Sequence, residues 1–328
     1  MINNRRRVLR VMAVGAGALM APHSLWATGK SVEFFEWHGR ALGADTSIQL
    51  YSFDKQKAQQ ALAGAQDIIS KYEAMFSLYD ENSQTSKLNK FGVLYNPSSE
   101  FVALVMLSKR FSNMTNGAFD ISVQPLWDVY QNHFNGQVTG DLDEKITAVL
   151  ENIGSDKIRV DNESVSFDRD KMAISFNGIA QGYITDQVTE FLNERGFDNI
   201  LVDMGEYRAG GPQGNGEPWR IGLLDPFDTV SVAEVIEMSS GAVATSGGYG
   251  NQFGPSGRYH HLFNPQTGLS SNLYASVTVQ ADDATTADAL STAFSNMTMS
   301  SIKKVLGKQS NVQMRVTDPA GTIHALRS

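Results

Sequence analysis

The residues best suited to hold a metal ion lie in Ala287–Ala293, which has the sequence A-D-A-L-S-T-A. Asp288 and Thr292 are four residues apart, so on a helix they share one face. A carboxylate and a hydroxyl on one face are the hard oxygen ligands that Mg²⁺ prefers. In the alternative interpretation, Asp288 caps a turn and Thr292 bonds back to its own helix. Taken alone, the two residues favour that alternative.

A second segment, Ser175–Tyr183, has the sequence S-F-N-G-I-A-Q-G-Y. It has the pattern of a strand end, a turn of small residues and a helix start, and helix N-termini favour anions. It contains neither the G-K-[ST] of a Walker A loop nor the G-x-G-x-x-G dinucleotide pattern. The motif fits an anion-binding turn and a plain strand-to-helix connection about equally well.

A third segment, Ala244–Gly268, begins A-T-S-G-G-Y-G and ends H-H-L-F-N-P-Q-T-G. Glycine lets a backbone approach a ligand closely, and hydroxyls and free N–H groups can cradle anionic oxygens. His260 and His261 add groups that carry protons near neutral pH. The alternative is that the histidines are structural loop residues. The chain has no H-E-x-x-H and no G-x-S-x-G nucleophile elbow.

Two further features point to a ligand with flat rings. Asp120, in the run N-G-A-F-D-I-S from Asn116 to Ser122, is placed at a strand start where it could bind a ribose, an adenine or a flavin edge. It could equally cap a helix or a turn. Phe76 and Tyr79 could stack on a ring system, although such aromatic residues more often pack in a core.

Apolar spacing predicts the elements that must position these residues. The predicted helices are Lys55–Met75, Phe101–Met114, Asp141–Ile153, Ile179–Arg195, Thr286–Met297 and Ser300–Leu306. The predicted strands are Ser47–Tyr51, Ile158–Val160, Ser164–Phe167, Met172–Phe176, Ile200–Met204, Trp219–Leu223, Val232–Ile236, Ser276–Val279, Val312–Val316 and Thr322–Ala325. Phe76–Asn89 and Gly205–Gly216 are predicted to be loops. Because strands and helices do not alternate strictly, the pattern indicates one α+β domain.

The composition limits the classes of partner. The 328 residues are 41% hydrophobic and 19% charged, which is typical of a globular protein, and there is no cysteine. The net charge is −8, and it is −12 without residues 1–27, which hold four arginines and no acidic residue. An acidic body argues against binding to nucleic acid or to anionic lipid.

The N-terminus is typical of an export signal. A basic run that includes Arg6 and Arg7 precedes a short apolar stretch, Val11–Ala21, and Ser24–Ala27 fits a cleavage region. Paired arginines followed by Val8-Leu9-Arg10 favour the twin-arginine route over the general secretory route. We therefore predict a signal peptide over residues 1–27, a periplasmic location, and no membrane-spanning segment in the mature chain.

Taken in order, these motifs resemble the ApbE family of FAD:protein FMN transferases. The similar segments are Ala41–Gly43, Tyr79 with Ser86-x-Leu88-Asn89, Gly117–Asp120, Asn177–Tyr183, Trp219-x-x-Gly222 with Asp225-Pro226, Ala244–Gly247, His261–Gly268 and Ala287–Ala293. The resemblance implies a T-fold-like domain of mixed sheets and helices over residues 28–328. Gly205–Gly211 and the signal peptide resemble the exported branch that serves a membrane flavoprotein of nitrous oxide respiration.

The resemblance also implies a reaction. A threonine or serine hydroxyl of an acceptor flavoprotein attacks the FMN-side phosphorus of FAD, AMP leaves, and Mg²⁺ binds the diphosphate. Asp288, Thr292 and the backbone carbonyl of Gly178 match the metal ligands. His261 matches a residue that assists removal of the hydroxyl proton or holds a phosphate oxygen. The positions that match FAD contacts are Leu42, Tyr79, Ala118, Phe119, Asp120, Ser175, Gln181 and Leu262.

The chain departs from the family pattern at four positions. Many relatives have Met at Leu42, Asp at Ser175, Lys at Gln181 and Asp at Asn264, so a carboxylate contact and a positive charge near FAD are absent here. Two alternative functions follow. One is FAD pyrophosphatase activity, in which water replaces the acceptor hydroxyl. The other is a periplasmic FAD carrier without turnover, to which the lost charges at Ser175 and Gln181 give some weight.

Overall fold

The computed structural model describes residues 31–137 and 140–328, and its central feature is one antiparallel sheet of eight strands. In order across the sheet, the strands are β1 (Glu33–Ala41), β2 (Ala44–Ser52), β6 (Ile200–Asp203), β7 (Tyr207–Gly210), β10 (Ser240–Gly247), β13 (Ser276–Ala281), β14 (Gln313–Thr317) and β15 (Ile323–Arg327). Three small sheets flank it: β3 (Val93–Tyr95) with β5 (Ser164–Phe167) and β4 (Ile158–Val160), β8 (Trp219–Leu224) with β9 (Val232–Met238), and β11 (Gln252–Phe253) with β12 (Tyr259–His260).

Eight α-helices complete the described part of the single α+β domain. They are α1 (Lys55–Phe76), α2 (Gln84–Phe91), α3 (Ser99–Met114), α4 (Gln124–Phe134), α5 (Leu142–Leu150), α6 (Ala180–Glu194), α7 (Ala284–Ser295) and α8 (Met299–Leu306). The predicted helices therefore exist, with ends that differ by a few residues. No described helix is long and apolar enough to cross a membrane.

The two faces of the large sheet bury different clusters. Along β6, Ile200 and Val202 join the main core beneath α1, α6 and α7, whereas Leu201 points to the opposite face. On that second face, the β8–β9 hairpin covers the sheet through Trp219 and its neighbours. This alternation follows from the two-residue period of a strand. A third cluster, around Tyr130, joins α4 and α5 to β11 and β12.

Three local predictions were wrong. The segment Phe76–Asn89 contains most of α2, which begins with a cap by Ser83 and ends at Gly92 in a left-handed conformation (φ 71°). The predicted loop Gly205–Gly216 contains β7. Met172–Phe176 forms no strand. The side chain of Asn89 takes the place of a neighbouring strand there and bonds both the N–H and the C=O of Ile174.

Candidate functional site

The predicted site residues converge on one large cavity at the edge of the main core. It holds about 1270 Å³ of space, including its open mouth. Eleven of the twelve predicted residues line it, although they come from distant parts of the chain: Leu42, Ala118, Phe119, Asp120, Ser175, Gly178, Gln181, His261, Leu262, Asp288 and Thr292. The twelfth, Tyr79, is 75% exposed and is not among the lining residues.

Helix α7 carries the carboxylate and the hydroxyl to this cavity. Asp288 and Thr292 both line it, as their spacing on one helical face predicts. The helix begins at the cap residue Asp283, whose side chain accepts a hydrogen bond from the backbone N–H of Thr286. Because Asp283 provides the cap, Asp288 is not needed as one and its carboxylate faces the cavity.

Helix α6 fixes the position of α7 through a buried carboxylate. Asp186 accepts hydrogen bonds from the backbone N–H groups of Ala284 and Thr285, both at 2.8 Å, and from the Thr285 hydroxyl. It also forms an ion pair with Arg208 at 2.8 Å. These contacts hold the first turn of α7, one turn away from Asp288.

Two glycines allow the start of α6 and the turn before it to approach α7. A Cβ atom on Gly178 would lie 3.0 Å from the hydroxyl oxygen of Thr292, and one on Gly182 would lie 2.3 Å from the carbonyl oxygen of Ala284. The backbone N–H of Gly182 instead donates to Asp288 Oδ2 at 3.0 Å. The structure thus brings Gly178, Asp288 and Thr292, the three predicted metal-site residues, into one place.

Strand β10 closes this part of the cavity with a hydroxyl contact. The Ser246 Oγ atom lies 2.8 Å from Ser291 Oγ and 3.4 Å from Thr292 Oγ1. The side chain of Thr292 therefore lies between β10 and α7, and the residue lines the cavity.

Burial controls the charge of this wall. Asp288 is only 4% exposed, and burial raises its pKa to about 7, helped by the charge of Asp186 and opposed by the hydrogen bond from Gly182. Burial and the nearby charges of Asp288 and Asp203 raise the pKa of Glu206 well above its usual value. The described lining contains no lysine or arginine.

The two adjacent histidines have different environments. His260 is buried, its Nδ1 accepts a hydrogen bond from the backbone N–H of Leu262, and burial lowers its pKa. His261 lines the cavity, and its Nδ1 lies 3.2 Å from the carbonyl oxygen of Asn251. Since a carbonyl only accepts, this contact places the proton on Nδ1 and leaves Nε2 as the acceptor of the ring.

Four of the predicted FAD contacts are apolar, and they lie in two parts of the cavity wall. Leu42 is in the turn between β1 and β2, where its backbone N–H donates to Glu73 of α1 at 3.1 Å. Ala118, Phe119 and Leu262 form a buried apolar part of the wall.

The structure gives Asp120 a capping role, because both of its carboxylate oxygens accept hydrogen bonds, from Ser122 and from the backbone N–H of Ser155. It caps a short 3₁₀ turn rather than opening a strand.

The two remaining predicted FAD contacts, Ser175 and Gln181, each donate a hydrogen bond to a backbone carbonyl. The N–H of Ser175 donates to the carbonyl oxygen of Ile121 at 2.7 Å. The Gln181 side-chain amide donates to the carbonyl oxygen of Met204 at 3.0 Å, which ties the start of α6 to the turn after β6. Both residues line the cavity.

Comparison with known proteins identifies the family. The ApbE family model matches residues 42–316. The chain belongs to the ApbE family. A relative from Vibrio cholerae named FAD:protein FMN transferase is 31% identical over 234 residues, which cover 69% of this chain and 70% of the relative. An Escherichia coli protein of the same name is 27% identical over 285 residues, covering 83% and 80% of the two chains.

Solved ApbE structures share the fold. The ApbE protein of Thermotoga maritima superposes with a TM-score of 0.78 at 30% identity, covering 89% of this chain and 96% of its own. The flavin transferase ApbE of Vibrio cholerae gives a TM-score of 0.77 at 26% identity, covering 90% and 97%. The predicted α+β class and the family resemblance are thereby confirmed.

The donor set of this ApbE family member fits Mg²⁺ bound together with a diphosphate. Nowhere in the described chain do three or more His, Cys, Asp or Glu side chains gather as a complete metal cage. Mg²⁺ commonly takes one or two carboxylates and completes its shell with waters and substrate phosphates. Asp288, the Thr292 hydroxyl and the backbone at Gly178 supply such a partial set, next to a wall without positive side chains.

Sequence reasoning missed one charged lining residue. Glu206 follows β6 in a Gly205–Glu206 turn and is 9% exposed within the cavity wall. Its sequence signal was weak, since it is one acidic residue in a predicted glycine-rich loop. Only the pairing of β6 with β7 and of β7 with β10 places it near Asp288.

Proposed function

We propose that this protein transfers FMN from FAD to a threonine or serine hydroxyl of an acceptor flavoprotein, releasing AMP. The observation that carries the proposal is the convergence of Asp288, Thr292, Gly178 and His261 on one cavity. The ApbE relatives named FAD:protein FMN transferase support the same reaction class.

In this proposal the chain binds and orients the diphosphate. The Asp288 carboxylate, the Thr292 hydroxyl and the Gly178 carbonyl hold Mg²⁺, and the close approach of Gly178 to Thr292 keeps these groups together. When bound, Mg²⁺ neutralises charge on the diphosphate as the phosphorus is attacked. Positioning and charge neutralisation are the main contributions an enzyme makes to phosphoryl transfer.

His261 is the proposed proton acceptor. With its Nδ1 proton directed to the Asn251 carbonyl, Nε2 is the ring nitrogen that accepts a proton from the incoming hydroxyl in this proposal. The adjacent His260 does not compete, because its ring is buried and its Nδ1 accepts from the backbone of Leu262. His261→Gln is expected to lower the transfer rate by about 100-fold, in line with the usual contribution of a general base.

FAD contacts are proposed for the remaining cavity residues and for one residue beyond the lining. Leu42, Ala118, Phe119 and Leu262 offer apolar surface, and Ser175, Gln181 and Asp120 offer polar atoms. Tyr79 lies outside the cavity lining and is exposed, so in this proposal it covers a ring that projects from the mouth.

The test uses the full chain, FAD, Mg²⁺ and a membrane flavoprotein domain as the candidate acceptor. The expected result is a mass increase of the acceptor equal to FMN less one water, absent with Asp288→Ala. Release of FMN and AMP without acceptor labelling would instead support a pyrophosphatase. Retention of intact FAD in the presence of acceptor and Mg²⁺ would support a carrier.

We also propose that the protein is exported through the twin-arginine route and labels the membrane flavoprotein of nitrous oxide reduction. The basis is the sequence of residues 1–27 and of Gly205–Gly211, and the first of these segments lies outside the described residues. Replacing Arg6 and Arg7 by lysine is expected to keep the protein in the cytoplasm, as cell fractionation would detect. Unchanged export would contradict the proposed route.

A further inference from the structure

Glu206 differs from the other buried carboxylates in how its charge is compensated. Asp186 has Arg208 and three hydrogen-bond donors, and Asp120 has three donors. The donor that the structure gives to Glu206 is the backbone N–H of Thr245. A buried carboxylate with so little compensation is energetically unfavourable unless a positive charge is nearby.

The neighbouring carboxylate of Asp288 makes the burial of a charge on Glu206 still less favourable. Asp288 lines the same cavity, has one backbone donor in Gly182, and repels Glu206 electrostatically. When both carboxyl groups are ionised, this wall, whose described residues include no lysine or arginine, is strongly negative. An anionic diphosphate would be repelled from it unless a cation bound first or together with it.

From this arrangement we infer that Glu206 supplies the second negative charge that binds the divalent cation held by Asp288. The inference deepens the proposed function and rests on it for the identity of the reaction. Glu206 is assigned here as a positioning residue for the cation, and the hydroxyl of Thr292 and the backbone at Gly178 keep the roles given above.

The same inference explains why Glu206 is fixed so firmly. Its backbone carbonyl accepts hydrogen bonds from the Thr185 hydroxyl at 3.2 Å and from the Met204 N–H at 3.3 Å, and the adjacent Gly205 has a left-handed φ of 103°. A Cβ on Gly205 would lie 2.4 Å from the side-chain nitrogen of Gln181. The turn is therefore anchored to α6, the helix that also positions Asp288 through Gly182.

The test measures binding of Mn²⁺ to the metal-stripped full chain by electron paramagnetic resonance at one fixed pH. Glu206→Gln preserves the size and the hydrogen-bonding oxygen but removes the charge, and it is expected to weaken Mn²⁺ binding by at least about tenfold. Glu206→Asp, which keeps the charge on a shorter side chain, is expected to be intermediate. Asp203→Asn is the matched control, because Asp203 is a half-buried carboxylate near Glu206 that does not line the cavity, and it should change the affinity by less than twofold.

Thermal melting gives a second readout. Without metal, Glu206→Gln is expected to melt at a higher temperature than the unmodified protein, because a buried carboxyl with little compensation is replaced by a neutral amide. Excess Mg²⁺ should raise the melting temperature of the unmodified protein more than that of the variant. Mn²⁺ affinities of Glu206→Gln and the unmodified protein that agree within twofold would overturn the inference, as would no Mn²⁺ binding by the unmodified protein.

These outcomes separate the inference from the proposed function. If the unmodified protein binds Mn²⁺ through Glu206 but labels no acceptor, the inference stands and the transferase proposal fails. If it labels an acceptor while Glu206→Gln binds Mn²⁺ normally, the transferase proposal stands and the inference fails.

Discussion

The Oδ2 atom of Asp288 accepts a hydrogen bond from the backbone N–H of Gly182 at 3.0 Å, and this bond joins α6 to α7, the helix that carries the proposed metal ligands Asp288 and Thr292. It leaves the other carboxylate oxygen of Asp288 without a donor from α6. The bond requires that residue 182 has no side chain, because the helices meet at that point.

Gly182→Ala is therefore expected to separate α6 from α7. The new Cβ would lie 2.3 Å from the Ala284 carbonyl oxygen and 2.8 Å from Asp288 Cβ. We expect a loss of about 1–3 kcal/mol in the free energy of unfolding, typical of overpacking, together with weaker metal binding. Urea unfolding measures the first effect. Gly307→Ala is the control, since its Cβ would meet only a contact at 3.4 Å, and equal losses in the two variants would contradict the argument.

Stability should depend on pH through Asp288. Burial raises the pKa of this carboxyl from 3.8 to about 7, so the folded state holds a proton that the unfolded state releases. The stability of the metal-free protein should then fall as the pH rises from about 4 to about 7, whereas Mg²⁺, which binds the ionised form, should stabilise more at higher pH.

Thermal melts with Mg²⁺ and with a chelator, recorded across this pH range, measure the effect. The increase in melting temperature caused by Mg²⁺ should grow with pH and should be lost in Asp288→Asn. An increase that is the same at all pH values would show that Asp288 does not couple the metal to protons.

The buried ion pair between Arg208 and Asp186 should matter for stability. The two side chains are 17% and 7% exposed, and Asp186 also binds the first turn of α7. Arg208→Gln leaves a buried carboxylate without its charged partner, and it should lower the free energy of unfolding by about 3 kcal/mol. Arg220→Gln breaks an exposed pair with Glu237 and should change it by less than about 1 kcal/mol. Similar losses in urea unfolding would contradict the role given to Arg208.

Asn89 should affect FAD affinity without contacting FAD. Its side chain bonds both backbone groups of Ile174, next to the cavity residue Ser175. Asn89→Ala leaves these groups unpaired, which should destabilise the segment by about 1–3 kcal/mol and raise KM for FAD more than it changes kcat. Asn82→Ala, in an exposed turn, should alter neither constant. A change in kcat alone would argue against a positioning role.

The sequence predicted local elements well where periodicity was strong. Lys55–Met75 matches α1 because its apolar spacing continues through the whole helix. Met172–Phe176 has the alternation of a strand but no strand partner, because a side chain 85 residues earlier in the chain satisfies its backbone. Periodicity reports a local conformation and a buried face, and it carries no information on which distant group pairs with the backbone.

In the candidate site, too, the sequence predicted local features but not long-range contacts. The order of its motifs was sufficient for recognising the family, and the spacing of Asp288 and Thr292 was sufficient for placing them on one helical face. Nothing local separates His260 from His261, yet one is buried against the backbone and the other lines the cavity. Tyr79 stays a predicted FAD contact.

By itself, then, the sequence determined the fold class and the family, because these depend on residue identity and on short-range periodicity. The tertiary structure decided which charges face one another. Glu206 lies near Asp288 only because strand pairing and the packing of α6 on α7 bring together positions 82 residues apart. Burial, which sets the electrostatic strength of that pair, is a property of the packed molecule and of no single segment.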